Sequence, residues 1–469
     1  MDFPLSKIVE VIKAKWPGPL STISITGIST DSRTVSPGDL FFALSGPTFD
    51  GHEFLEEAKE KGAIAAVVDK SRSFKFGEFP LLQVDSPLQA LGDLAQWYRQ
   101  QFDIPLIAIT GSSGKTTTKD LLASILSVSQ KNLATEGNLN NLIGVPITLF
   151  RLNPEIKTAV IEMGMNTRKE IFRLSKIAQP TIGLITNIGH AHLEFLETME
   201  EVAEAKYELW DAMENQGTAI VNLDDERITK IASRWKGKTV TYSNNVEHAD
   251  ILVTVLETGK NGQTKCELCI NGEGGIELSI PLIGTHNVYN AAAAAATAHA
   301  LQTPIEDIRE GLSKPQITKM RSELLHFSKE RVIINDAYNA NPNSMEAALQ
   351  SLIMMRGTRQ AVAILGDMFE LGEQSEELHF DIGAFVAELK VDHLVTFGKL
   401  SKAIAEGALK YGFPKDRLFS CHELGEVMEV VSPLIHSPDT IFLVKGSRGM
   451  AMERIVEKMK KEIKESQED

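Results

Sequence analysis

Cysteine is scarce in this sequence, and long apolar runs are missing. Three cysteines among 469 residues are too few for a disulfide framework. No window approaches the roughly 18 consecutive apolar residues that indicate a membrane span. The N-terminal segment, with the acidic Asp2 near its start, has neither the basic start nor the cleavage site of a signal peptide. We therefore expect a cytoplasmic protein that does not insert into membranes.

The chain also has fewer positively than negatively charged residues. The chain has 48 Lys and Arg against 63 Asp and Glu, a formal net charge of −15. Such an acidic chain is poorly suited to sequence-independent binding of nucleic acid, and an anionic substrate would need a locally basic pocket. The hydrophobic share of 43% is typical of globular proteins. At about 150 residues per domain, the length suggests three domains.

A CxxC spacing at Cys266 and Cys269 invites a redox or zinc interpretation. These cysteines lie in an alternating stretch, residues 264–270, which has an Asn-Gly pair on each side. That pattern is typical of a strand in a β-hairpin, and no second Cys or His pair completes a metal site. We therefore expect two ordinary strand cysteines.

The order of predicted elements indicates an α/β fold. Short β-like runs and one helix fill the first hundred residues, and strands then alternate with helices, which favours parallel sheets covered on both faces. The predicted strands of the second and third parts are 105–110, 158–162, 181–187, 331–336, 360–366, 393–398 and 440–446. We expect three α/β domains, at residues 1–102, 103–316 and 317–469.

The segment from Gly111 to Thr117 (GSSGKTT) follows a predicted buried strand and opens a predicted helix. Glycines let backbone N–H groups surround a phosphate, and the helix N-terminus adds partial positive charge. Lys115 would reach the terminal phosphates and Thr116 would hold Mg²⁺. The full Walker A pattern would require glycine at Ile109, so the match is incomplete.

Two further segments end predicted strands at the same edge of the sheet. Glu162 offers Mg²⁺ a hard oxygen ligand at the end of strand 158–162. His190 and His192 follow strand 181–187, and the residues alone do not decide which of them serves the site. These features predict an ATP- and Mg²⁺-dependent phosphoryl-transfer site in the middle domain, without naming the acceptor.

At this point the sequence resembles the Mur ligases, ATP-dependent amide-forming enzymes of peptidoglycan precursor synthesis. Their phosphate loop has the short GxxGKTT form, which accounts for Ile109. The family patterns are matched by TEGNLNNLIGVP at 135–146, Glu162-Met-Gly, the segment 187–194, Ala205-Lys206 and PLIGTHNVYNA at 281–291. The resemblance implies a UDP-substrate-binding first domain, a central ATP-binding P-loop domain and a Rossmann-like C-terminal domain.

The two ends of the chain indicate which member of the family it resembles. Segment 31–46 (DSRTVSPGDLFFALSG) resembles the UDP-binding first domain of the two later-acting ligases. DAYNANPNSM at 336–345, LGDMFELG at 365–372 and KGSRGM at 445–450 resemble the last-acting one, which adds D-alanyl-D-alanine to UDP-N-acetylmuramoyl-tripeptide through an acyl phosphate. The alternatives are the preceding Mur ligase, a folylpolyglutamate synthetase-like ligase, and a P-loop switch or ATPase that forms no amide bond.

The resemblance also implies roles for individual residues. Lys115, Lys206, His192 and Glu162 would be catalytic, with Thr116, Glu162, His192 and a carbamylated Lys206 holding Mg²⁺. ATP would bind Gly111, Ser112, Ser113, Gly114, Lys115, Thr116, Thr117, His286, Asn287, Asn290, Arg321 and Asp336. The UDP-linked substrate would bind Ser32, Arg33, Gly46, Asn138 and Asn141. We expect a monomer.

Overall fold

The computed structural model describes residues 2–16, 23–73, 79–191, 193–259, 262–327, 331–437 and 439–468. Strands in this part of the chain form three sheets of four or more strands and one small two-stranded sheet. Helices pack against the larger sheets, so the α/β fold class is confirmed. The boundaries near residues 102 and 316 stay predictions, although each of the three larger sheets lies within one of the predicted domains.

The first sheet has four parallel strands in sequence order and carries the N-terminal elements. Phe42 and Val67 face one apolar cluster, whereas Phe41 and Val68 face the other, because successive side chains of a strand alternate in direction. The strands are β1 (Phe3–Pro4), β2 (Ser24–Ile25), β3 (Gly27–Ser29), β4 (Asp39–Phe42), β5 (Ala65–Asp69) and β6 (Leu81–Val84), of which β1 and β2 form a separate antiparallel pair. The helices are α1 (Leu5–Val11), α2 (Leu55–Glu60) and α3 (Pro87–Arg99).

The central sheet has the order β15-β14-β13-β12-β11-β10-β7-β9-β8 and is parallel from β8 to β13. Its strands are β7 (Leu106–Thr110), β8 (Asn132–Ala134), β9 (Thr158–Glu162), β10 (Ile182–Ile185), β11 (Thr218–Asn222), β12 (Lys238–Ser243), β13 (Ile251–Thr258), β14 (Thr264–Ile270) and β15 (Glu273–Ile280). Its helices are α4 (Lys115–Leu126), α5 (Gly144–Leu149), α6 (Glu170–Ala178), α7 (Leu193–Leu196), α8 (Met199–Ala212), α9 (Glu226–Ala232), α10 (Thr285–Ala300) and α11 (Ile305–Ser313).

The hairpin prediction around the CxxC spacing is confirmed. Strand β14 pairs antiparallel with both β13 and β15. Cys266 is buried in an apolar cluster, Cys269 is partly exposed, and both are free thiols. In the described part of the chain no group of three or more His, Cys, Asp or Glu side chains is placed to hold a metal ion.

The C-terminal sheet has the order β16-β17-β21-β18-β19-β20, and only β16 is antiparallel to its neighbour. Its strands are β16 (Glu323–His326), β17 (Val332–Asp336), β18 (Gln360–Gly366), β19 (His393–Phe397), β20 (Leu418–Cys421) and β21 (Thr440–Lys445). Its helices are α12 (Pro342–Arg356), α13 (Ser375–Glu388), α14 (Lys402–Lys410), α15 (Leu424–Ile435) and α16 (Glu453–Glu468). None of the described helices is long and apolar enough to cross a membrane.

The topology of the central sheet creates a crevice at β7. This strand lies between β9 and β10: the chain leaves β7 for β8 on one side, and it crosses from β9 to β10 on the other. Ligands of open α/β sheets bind beyond the carboxyl ends of the strands at such a point. The segment 111–114, which follows β7, is placed there.

Candidate active site

The segment from Gly111 to Thr117 forms a loop that is held by the residues following β10. The backbone N–H of Ser113 donates to Oδ1 of Asn187 at 3.0 Å, and Nδ2 of Asn187 donates back to the Ser113 carbonyl at 3.1 Å. The hydroxyl of Thr186 donates to the same carbonyl at 2.6 Å. The loop is therefore fixed before any phosphate arrives, which lowers the entropic cost of binding.

Gly114 is required by both the backbone and the packing of this loop. Its φ of 76° lies in the left-handed region, where it precedes helix α4. A Cβ atom at this position would stand 2.3 Å from Oδ1 of Asn290, far inside contact distance. The loop and the start of α10 are thus in direct contact, which brings Gly114 and Asn290 together as predicted.

Lys115 and Glu162 lie close enough for their charges to interact. The Lys115 ammonium donates to the Gly111 carbonyl at 2.7 Å. Burial lowers the pKa of Lys115, the negative charge of Glu162 opposes that shift, and the positive charge of Arg321 adds to it. The Lys115 side chain is therefore folded onto the phosphate loop, and the Glu162 carboxylate and the Arg321 guanidinium lie nearby.

Glu162 presents one free carboxylate oxygen to the interior. Its Oε1 accepts a hydrogen bond from Nδ2 of Asn140 at 2.8 Å. Its Oε2 is buried and has no hydrogen-bond partner in the part of the chain that the structure describes. Because an unpaired buried carboxylate oxygen is costly, this atom fits a ligand of a hard cation such as Mg²⁺.

Lys206 is on helix α8 and is only 1% exposed. Its pKa is lowered well below the usual value, first by burial and then by the positive charge of Lys115. Both effects favour the neutral amine. The structure therefore places the Lys206 amine within electrostatic reach of Lys115 in the phosphate loop.

A cavity of about 610 Å³ extends from the phosphate loop along the start of α10. Eleven of the twelve predicted nucleotide-binding residues line it, and only Gly111 does not. Asn290 donates from Nδ2 to Oδ1 of Asn287 at 3.1 Å. Burial lowers the pKa of His286 to about 4, so its imidazole is neutral at pH 7.

The C-terminal part of the chain reaches this cavity through Arg321 and Asp336. Arg321 donates from Nη2 to the Thr116 hydroxyl at 3.2 Å and stacks on Tyr338, with the guanidinium carbon 4.1 Å from the ring centroid. Asp336 accepts an ion-paired hydrogen bond from Lys445 at 2.5 Å, and this pair is buried. The cavity is thus built from two sheets that lie far apart in sequence.

The five residues predicted to bind the UDP-linked substrate do not line this cavity. Ser32 is buried and donates to Oε2 of Glu57 at 3.0 Å. Arg33 is exposed and pairs with Asp31 at 2.7 Å, which lowers the pKa of that carboxyl to about 2. Gly46 is exposed. Their predicted role stays a prediction.

Asn138 and Asn141 lie in the segment that leads to α5. Asn138 is exposed. The Asn141 side chain accepts hydrogen bonds from the backbone N–H groups of Ile143 and Gly144, at 3.1 and 2.9 Å. In this structure the Asn141 side chain therefore holds the backbone at the start of α5, and its predicted contact with substrate is untested. His192 lies outside the described residues; its neighbour His190 donates its backbone N–H to Oδ1 of Asn343 at 3.0 Å.

Four residues that we did not predict as site residues hold the predicted ones in place. Asn140 orients Glu162, Asn187 holds the phosphate loop, Lys445 pairs with Asp336, and Asn341 donates from Nδ2 to the Ser112 carbonyl at 3.2 Å. The position of Asn187 at the end of a predicted strand was a usable signal. The other three depend on contacts between distant segments.

The sequence matches family models along most of its length. Residues 24–99 match a model described as "Mur ligase family, catalytic domain", residues 109–298 one described as "Mur ligase middle domain", and residues 320–448 one described as "Mur ligase, glutamate ligase domain". The UDP-N-acetylmuramoyl-tripeptide--D-alanyl-D-alanine ligase of Bacillus subtilis is 37% identical, covering 96% of this chain and 97% of the relative. The chain belongs to the Mur ligase family.

Other Mur ligases agree in sequence and in structure. The enzyme of the same name from Escherichia coli is 36% identical over 96% of this chain and 97% of its own length. The structure of MurF from Acinetobacter baumannii has a TM-score of 0.90 at 35% identity, covering 98% of this chain and 99% of that chain. MurF from Thermotoga maritima, solved in complex with ADP, has a TM-score of 0.82 at 25% identity, covering 94% and 98%.

Proposed function

We propose that this Mur ligase joins D-alanyl-D-alanine to UDP-N-acetylmuramoyl-tripeptide at the expense of ATP, in the cytoplasmic synthesis of peptidoglycan precursors. The full-length similarity to relatives of that name supports the choice within the family. The observation that carries the chemistry is the contact between Arg321 and Thr116, which joins the C-terminal part to the phosphate loop. A ligase needs such a junction, because ATP and two further substrates must meet in one water-poor place.

The nucleotide would lie in the cavity of about 610 Å³. The phosphate loop would hold its phosphates through backbone N–H groups, with Lys115 released from the Gly111 carbonyl to follow the transferring group. Mg²⁺ would use the free Oε2 of Glu162 and the Thr116 hydroxyl, and it would neutralise charge that develops on the phosphates. Asn290 and His286 would face the nucleoside side.

The ligation would run in two steps at this site. The terminal carboxylate of the tripeptide accepts the γ-phosphoryl group of ATP and ADP leaves. The resulting acyl phosphate is attacked by the amine of D-alanyl-D-alanine. A tetrahedral intermediate then loses phosphate and leaves the amide. Arg321 and Lys115 would stabilise the negative charge that moves with the phosphoryl group. Contacts such as Asn341 with Ser112 would keep the C-terminal part closed over the loop and exclude water.

We further propose that Lys206 is carbamylated by CO₂. Carbamylation needs a neutral amine, and the burial and lowered pKa of Lys206 support that state. The product is an anion with two oxygens, which suits a hard cation beside Glu162. Lys206→Ala should lose activity and recover part of it with formate or acetate, whereas Lys206→Arg should not recover. Full activity in the alanine variant would contradict the proposal, as would the absence of a carbamate signal after labelling with ¹³CO₂.

Product formation tests the proposed function. The purified protein should convert UDP-N-acetylmuramoyl-tripeptide, D-alanyl-D-alanine and ATP to a product with the mass of the pentapeptide, and omission of any one substrate should stop phosphate release. Activity with a dipeptide substrate and a single amino acid would indicate the preceding Mur ligase. Activity with folate and glutamate would indicate the folylpolyglutamate class, and phosphate release from ATP alone would indicate an ATPase. Gel filtration of the same sample tests the expected monomer.

A further inference from the structure

The segment between the central and C-terminal sheets lies along helix α4, the helix that follows the phosphate loop. The backbone N–H of Gln316 donates to the Ser124 hydroxyl at 2.9 Å, and the backbone N–H of Thr318 donates to Oδ2 of Asp120 at 2.8 Å. Arg321 then reaches Thr116 at 3.2 Å. The segment therefore runs antiparallel to the helix and contacts it at three successive points.

The three partners on α4 form one polar stripe. Thr116, Asp120 and Ser124 are spaced by four residues, so they lie on the same face of the helix, one turn apart. Residues 316, 318 and 321 of the segment pair in turn with residues 124, 120 and 116 of the helix. Because the register is set at each turn, the position of Arg321 is linked to the contact that Thr318 makes one turn away.

Asp120 is the strongest anchor of the stripe. It is 7% exposed, and its second oxygen, Oδ1, pairs with the Lys119 ammonium at 2.7 Å. That ammonium also donates to the Thr135 carbonyl at 2.7 Å. A buried carboxylate whose two oxygens have separate partners is fixed in one orientation, so it can fix the backbone of Thr318 in turn.

The backbone around Arg321 is strained. Met320 has a φ of 62° and Ser322 a φ of 49°, left-handed values that non-glycine residues adopt only where their surroundings impose them. Beyond Arg321, the backbone N–H of Ser322 donates to Oδ1 of Asp336 at 2.9 Å. The strained turn is thus held at both ends, by Asp120 on α4 and by Asp336 on β17.

We propose that Asp120 is a positioning residue of the ligation reaction, which acts by fixing Thr318 on α4 so that the strained turn delivers Arg321 to the phosphate loop. The inference rests on the proposed function, since it assumes that Arg321 acts on the nucleotide. Asp120 does not line the cavity itself. We therefore expect its effect on turnover to pass through Arg321.

A matched pair of variants tests this separately from the burial of charge. Both variants carry Lys119→Met, so that no buried ammonium is left without its carboxylate partner. The first also has Asp120→Asn, which keeps a hydrogen-bond acceptor for the Thr318 N–H. The second has Asp120→Leu, which removes that acceptor. We expect the leucine variant to have kcat/KM for ATP lower by on the order of 10- to 100-fold, because small misplacements of a reacting group have effects of that size. In an Arg321→Ala background the two variants should differ by less than about twofold.

Two further variants complete the test. Ser124→Ala removes the hydroxyl that accepts the Gln316 N–H, without leaving a charge unpaired. It should lower kcat/KM several-fold in the wild-type background and not in the Arg321→Ala background. Leu126→Ala is the control, because this buried residue ends α4 and the hydrogen bonds from residues 316–321 go to Ser124, Asp120 and Thr116 instead. It should lower the melting temperature and leave KM for ATP unchanged. Equal kcat/KM in the asparagine and leucine variants, or a difference that persists without Arg321, would overturn the proposal. A wild-type protein that makes no amide would instead overturn the proposed function.

Discussion

Substituting Gly114 by alanine should weaken ATP binding through a defined clash in the phosphate loop. The φ of 76° at this residue is unfavourable for any side chain, and the new Cβ would stand 2.3 Å from Oδ1 of Asn290. Neither atom can move freely, because Asn290 is buried and hydrogen-bonded to Asn287 and Thr118. The substitution therefore opposes the loop conformation that would bind phosphate.

The size of the effect follows from two contributions. A left-handed non-glycine residue costs roughly 1–2 kcal/mol. Extra atoms in a well-packed place cost about 1–3 kcal/mol more. If binding requires the loop as it stands here, the sum of about 2–5 kcal/mol corresponds to a dissociation constant for ATP raised by about 30-fold or more, since about 1.4 kcal/mol is tenfold.

Isothermal titration with ATP measures this effect, and Gly137→Ala is the matched control. Gly137 also has a positive φ, 56°, but a Cβ there would meet nothing within 4 Å. The control should therefore carry the backbone strain alone, with slightly lower stability and unchanged ATP affinity. An ATP affinity in Gly114→Ala equal to that of wild type would refute the reasoning, as would equal losses of affinity in the two variants.

Three further predictions address separate parts of the account. Lys115→Ala should lower kcat by on the order of 10²-fold or more with the fold intact by circular dichroism, because the cation that follows the transferring charge is lost; near-normal turnover would contradict this. Arg33→Ala should raise KM for the UDP-linked substrate far more than KM for ATP, and equal changes would argue against a UDP-binding first domain. The unfolded chain binds a proton at His286 near pH 6.5, whereas burial lowers the folded-state pKa to about 4. Stability in urea should therefore fall as the pH drops from about 6.5 towards 4, and His286→Gln should lose less stability across that window than wild type; equal losses would count against it.

Much of the fold could be predicted from the sequence because its strands are marked locally. The boundaries of β9, β14 and β18 agree with the predicted 158–162, 264–270 and 360–366. The strands β9 and β18 are runs rich in apolar residues, whereas β14 alternates polar and apolar residues between two Asn-Gly pairs. The strand after Thr181 was predicted to 187 and ends at Ile185, because Thr186 and Asn187 turn to hold the phosphate loop.

The assembly of the candidate site could not be predicted from local sequence patterns. The buried Lys445–Asp336 pair forms because β17 and β21 are neighbours in register, although 109 residues separate the two side chains. Asn341 meets Ser112 across 229 residues. No local pattern specifies such contacts, since they depend on how two sheets face each other. Asn141 is the opposite case, because its local sequence is informative. An asparagine shortly before a glycine and a proline is a signal for the start of a helix, and Asn141 stands three residues before Gly144.

Transfer of an oxygen isotope tests the central claim most directly. The tripeptide substrate, labelled with ¹⁸O in both oxygens of its terminal carboxylate, is turned over with ATP and D-alanyl-D-alanine, and the released phosphate is analysed by mass spectrometry. The account predicts one ¹⁸O in each phosphate and the other in the new amide, because the carboxylate attacks the γ-phosphorus before the amine displaces phosphate. Unlabelled phosphate, or the label appearing in AMP, would contradict it.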